Sequence, residues 1–172
     1  MAARRAPTSE PFGNSLQGRG PDLNELLLPV ALLALIDGGA WPRSEREANQ
    51  QNRTYGPIPE EAVCKLVPGE ERIYLFWPPF STIAERMARG ESEYWLDFGD
   101  LDQIDPKRAL LIGDFGLGSD AAIILDYQRP GPPRVLRQVW GAKGCMRPRW
   151  ELFFPNFTDF AKAFALESRR WR

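Results

Sequence analysis

Short apolar runs set apart by turn residues mark the second half of the chain. Residues 109–112 (ALLI) and 121–125 (AAIIL) are two such runs, and the loop between them, GDFGLGSD, holds three glycines and two aspartates. Runs of this length bounded by turn signals read as buried strands, so the segment predicts a hairpin. Gly113, Gly116 and Gly118 tolerate backbone angles that other residues resist, and Asp114 and Asp120 can bond the turn's own amides. Residues 134–140 alternate, with Val135, Arg137 and Val139 on one side and Leu136, Gln138 and Trp140 on the other. That predicts a third strand, near an edge or partly solvated. Residues 72–77 predict another, stopped by Pro78 and Pro79.

Helical spacing appears elsewhere. Residues 26–36 predict a core helix, with Pro29 in its first turn, Asp37 at its end and Gly38-Gly39 as the stop. Residues 80–89 predict a short helix that Ser81 can cap and Gly90 ends. The closing helix begins at a capping Asn156 with Asp159 at the capping-box position. Its residues Phe157, Phe160, Ala161 and Phe164 share one face, which reads as packing against a sheet. Residues 43–59 are polar, without periodicity, and end in prolines, which predicts an insertion or long loop. Residues 1–21 predict a disordered tail and 168–172 a basic end, leaving one domain over 22–167. Helices, then strands, then a closing helix predict an α+β domain, a mainly antiparallel sheet packed by helices.

Composition narrows what such a domain can do. The 172 residues are 43% hydrophobic, enough for one core, and carry a net charge of −1. That balance argues against direct nucleic-acid binding, which wants a basic footprint. The apolar run at 26–36 is far short of the ~18 residues a membrane span needs. With no signal-peptide core near the start, and with Cys64 and Cys145 as the two cysteines, a cytoplasmic location is expected.

Asp114-Phe115-Gly116 follows a hydrophobic strand, as the magnesium-holding element of protein kinases does, and Asp97-Phe98-Gly99 repeats the letters. A kinase also needs a His-Arg-Asp loop, and this chain has no histidine. The glycines could cradle a phosphate, but no Gly-Lys-Ser/Thr follows, and the loop leads into a strand where a dinucleotide fingerprint leads into a helix. The hairpin's own geometry explains them better. The missing histidine also excludes Ser-His-Asp and Cys-His catalysis and nearly all zinc sites of mixed ligand type. Carboxylate pairs remain for acid–base work, though no spacing singles one out. The expectation is a non-catalytic protein with no cofactor and no metal.

Three motifs resemble the SUKH superfamily, which includes yeast cell-wall-assembly regulators and many bacterial immunity proteins. The first is Leu28-Pro29 opening a helix that closes in Asp37-Gly38-Gly39. The second is the strand and loop of Ile112, Gly113, Asp114, Gly116, Gly118 and Asp120, followed by Leu125-Asp126. The third is the helix start Asn156-Phe157-Thr158-Asp159-Phe160. Asp37 stands where the family usually has Asn, and Ser119 is an extra residue before Asp120. The resemblance implies a SUKH-like sheet packed by helices, and a protein that acts by binding. In bacteria such a protein neutralises a toxin domain; the alternative is a scaffold or regulatory domain for a host protein, with a carboxylate-dependent hydrolase a remote third. The motif residues themselves read as structural, their aspartates holding the loop backbone.

One segment could meet a partner. Glu91, Glu93, Asp97, Asp100, Asp102 and Asp105 run without an intervening basic residue, and Tyr94, Trp95 and Phe98 are interleaved. Such a run is ordinarily a solvated loop whose aromatics reach back to the core. The sharper reading is a docking surface for a basic partner, where charge speeds encounter and Tyr and Trp anchor it. The oligomeric state is left open.

Overall fold

The computed structural model describes residues 26–51, 58–90, 98–116, 119–141 and 148–168. Glu91, Glu93, Tyr94, Trp95, Asp97, Gly118 and nearly all of both predicted terminal segments lie outside those residues. Within them the chain is an α+β fold. Five helices, α1 (Val30–Asp37), α2 (Glu45–Gln50), α3 (Glu60–Leu66), α4 (Ile83–Ala88) and α5 (Phe157–Ala163), accompany six strands. The strands are β1 (Tyr74–Leu75), β2 (Ser81–Thr82), β3 (Ala109–Asp114), β4 (Ala122–Asp126), β5 (Arg134–Val139) and β6 (Arg149–Phe154). They form one sheet in the order β1-β3-β4-β5-β6, with β2 also on β3, and every pairing is antiparallel.

The predicted hairpin is β3 and β4. Both are buried along their whole length, because each face of the sheet is covered. Leu110, Ile112, Ile123, Leu125 and Val135 belong to one core, closed by Leu32 and Leu35 of α1, Val63 of α3 and the aromatic face of α5. Ala109, Leu111, Ala122, Ile124 and Leu136 belong to a second core, closed by Ile83 of α4 with Phe98, Ile104 and Trp150. A strand buried on both faces reads as a continuous apolar run, which is the pattern of residues 109–112 and 121–125. The closing helix also forms as expected: the Asp159 amide donates to Asn156 Oδ1 at 2.9 Å, and Phe157, Phe160, Ala161 and Phe164 are all buried.

Residues 134–139 do form the expected strand, β5, one place in from the edge strand β6 and partly exposed at Arg134, Arg137 and Val139. Several expectations are corrected. The polar segment after residue 43 contains a helix, α2, capped by Ser44, whose Oγ accepts from the Glu47 amide. Its following residue, Gln51, is fully buried and bonds both the Leu75 amide and the Leu75 carbonyl, at 2.8 Å each. In α4 the cap is Thr82, one residue after the expected Ser81, because Thr82 and Glu85 form a reciprocal capping box. Pro29 stands at the N-cap of α1, just outside its first turn. The helix starts only at Val30. It buries Leu32 and Leu35 but leaves Val30 83% exposed, and Leu27 in the segment before it is 80% exposed, so only part of the predicted core helix is core.

Candidate functional site

The β3–β4 hairpin carries most of the motif residues, and its two ends are built differently. At the β4–β5 end, Asp126 is 1% exposed. Its Oδ2 accepts from the Arg134 guanidinium, with Nε at 3.0 Å and Nη2 in a closer ion pair, and its Oδ1 accepts the Gln128 amide at 3.0 Å. Asp126 therefore holds the start of β5 and the turn before it, where the expectation had it holding the loop between β3 and β4. The neighbouring Leu125 is fully buried in the first core.

At the loop end, Asp114 pairs in register with Ala122 on β4 and Tyr74 on β1. Its side chain is buried and accepts the Gly116 amide, while Oδ1 has no hydrogen-bond partner among the described residues. Burial first, and the charge of Asp120 second, push this carboxyl from the usual 3.8 up to about 7; the Gly116 amide and Arg86 of α4 pull the other way. The structure thus brings Asp114 and Asp120 together and sets Asp126 at the far end of the strands.

The glycines act through space rather than through backbone angle. Neither Gly113 nor Gly116 has a positive φ; the residue in the left-handed region is Asp120, at 53°. A Cβ on Gly113 would stand 2.6 Å from the Tyr74 carbonyl oxygen, and one on Gly116 would stand 3.1 Å from Asp114 Oδ1. The expectation that these glycines supply unusual loop angles is corrected for both: β1 and the Asp114 carboxyl press against the hairpin there. Ser119, the residue extra to the motif, has its own work. Its Oγ donates to Glu70 Oε1 and accepts the Ala121 amide at 3.2 Å, and its carbonyl accepts Trp140 Nε1 at 2.7 Å. It ties the hairpin tip to the chain between α3 and β1 and to the end of β5.

The acidic segment is described from Phe98 onward. Phe98 is buried in the second core, and its carbonyl accepts Trp150 Nε1 at 2.7 Å. Asp100 and Asp102 are exposed on a short 3-10 turn, Leu101–Gln103, and Asp105 is half-buried, its Oδ1 accepting the Lys107 amide at 3.0 Å. This turn is lashed to the sheet edge. The Asp100 amide donates to the Pro148 carbonyl at 3.1 Å, and Gln103 Oε1 accepts the Trp150 amide at 2.7 Å.

A cleft of about 450 Å³ lies beside α4, lined by Pro79, Phe80, Ser81, Glu85, Ala88 and Arg89. None of the motif carboxylates lines it. Among the described residues, no cluster of three or more His, Cys, Asp or Glu side chains could hold a metal ion, and no helix is long and apolar enough to cross a membrane.

No protein-family model, curated protein or solved structure matches this chain.

Proposed function

We propose that this chain is a non-catalytic, SUKH-like binding domain of the cytoplasm, an immunity protein that neutralises a toxin domain by direct contact. Nucleic acid, membrane and cofactor have no part in that reading. The observation that carries it is the pair of exposed carboxylates, Asp100 and Asp102, on a turn already anchored to β6 by the Asp100 amide and Gln103. A surface fixed before binding loses little entropy on docking, and its charge steers a basic partner toward it. The motif residues support the reading from the other side. Gly113, Gly116 and Asp126 are taken up by close packing and an ion pair, which leaves recognition to other surfaces.

The test is recovery of the tagged chain from its native cell lysate, identification of any polypeptide present in near-equal amount, and assay of that polypeptide's toxicity with and without this chain. A toxin domain silenced by stoichiometric addition of the chain is the expected result. A set of host proteins with no toxin among them would instead indicate a scaffold. Turnover of a substrate by the chain alone would overturn the non-catalytic reading.

A further inference from the structure

Among the described residues, Asp114 Oδ1 is buried against the hairpin without a donor, in a side chain that is nine-tenths out of water. The groups that act on it come from every side. Asp120 is across the loop, Arg86 comes from α4, and Tyr74 faces it from β1, with Glu45 of α2 acting on Tyr74 in turn. An ionised carboxylate out of water needs donors for both oxygens, whereas the neutral acid is far cheaper to leave unmet. The backbone beside it is the last rung of the hairpin among the described residues, where the Phe115 amide donates to the Ala121 carbonyl at 3.0 Å. Next to that rung, Asp120 is held at a φ of 53°, a conformation a non-glycine residue adopts at a cost.

We propose that Asp114 is a proton-operated latch on the β3–β4 hairpin: as the neutral acid it keeps the loop end closed, and loss of its proton opens the Phe115–Ala121 rung. Ionisation sets a second negative charge beside Asp120 and leaves Oδ1 charged and unmet. Letting water in at the loop end relieves both, and it costs one rung and frees Asp120 from its left-handed backbone. The middle of the ladder, around Ile124 and Leu111, is packed from both faces and stays closed. Because burial and Asp120 raise the carboxyl to about 7, the latch works near neutrality, closed below and open above. It acts whatever partner the chain binds.

The test is amide hydrogen exchange of the full chain from about pH 5.5 to about pH 8.5, with each rate divided by its intrinsic rate. The expected result is that protection of the Phe115 amide falls roughly tenfold across that range while that of Ile124 holds. Asp114→Asn abolishes the fall, and Asp120→Asn shifts its midpoint to lower pH, since a repelling charge has gone. Flat protection at Phe115 in the natural sequence would overturn the latch, and so would a fall shared equally by Ile124 or one that persists in Asp114→Asn. If Asp114→Asn fails to fold, the Asp120→Asn midpoint decides: a downward shift supports the latch and an unmoved midpoint overturns it.

Discussion

Two aspartates close the two ends of one hairpin, and they have opposite surroundings. Asp126 is met on both oxygens, by the Arg134 guanidinium and the Gln128 amide. Asp114, on the partner strand, has one oxygen without a donor and a second carboxylate for a neighbour. Residue type and burial are shared, so the difference lies in the partners. A buried carboxyl with a guanidinium partner is a fastener, while one with an unmet oxygen is a stored penalty whose size depends on pH.

The largest expected effect comes from breaking the fastener. Asp126→Asn leaves Arg134 without its charge partner and should lower stability by about 3 to 5 kcal/mol, read from the urea midpoint. A loss below about 1 kcal/mol would place Asp126 among ordinary surface acids.

The next effect has the opposite sign. The folded-state pKa of Asp114 is raised above its unfolded value, from 3.8 to about 7. The folded chain therefore holds a proton that the unfolded chain gives up across that interval. Stability is unaffected below it, falls as pH rises through it, and stays lowered above it. At about 1.4 kcal/mol per unit the full penalty is about 4 kcal/mol, and opening of the hairpin relieves part of it. Asp114→Asn should thus be more stable than the natural sequence by about 2 kcal/mol at pH 8, with the advantage gone near pH 4. Thermal unfolding at the two pH values measures it; an advantage equal at both would break the comparison.

Smaller effects sharpen the loop end. Gly113→Ala must move the β1 backbone at Tyr74 and should cost about 1 to 3 kcal/mol, more than Gly116→Ala, whose added methyl meets side-chain atoms. Denaturant titration of the pair tests the order. Ser119→Ala removes the tie to Glu70 and should cost about 1 kcal/mol in the same measurement.

What was legible in the sequence followed its periodicity. The hairpin strands and α5 were readable because Ile123, Leu125, Phe157 and Phe160 stand in uninterrupted strand or helix spacing. Strand β6 was not, because a register shift opposite Val135 and Leu136 breaks its alternation, and Phe153 and Phe154 both pack against the core that holds Phe160. Helix α2 buries only Ala48, too little for an apolar period, although its Ser44-x-x-Glu47 signature was there to be read. The tie of Ser119 to Glu70 and the press of Tyr74 on Gly113 join residues far apart in the chain. No local pattern announces such contacts.

At the candidate site, Asp126 was read as a structural residue of the β3–β4 loop, but its actual place at the β4–β5 turn and its partner Arg134 were not legible. The acidic segment divides in the same way. Phe98 went to the core, the ordinary fate of an aromatic in a charge run, while Asp100 and Asp102 stayed in water. On the proposed function, recognition would belong to the anchored turn and stability to the hairpin.

The most direct measurement of that proposed division is the association rate between this chain and the partner that co-purifies with it, at low and high salt, for three variants. Asp100→Lys with Asp102→Lys should slow association roughly tenfold at low salt and flatten its salt dependence, while Asp126→Asn and Asp114→Asn, kept folded, should leave both unchanged. Unchanged rates in the lysine variant, or slowed rates in the hairpin variants, would contradict it.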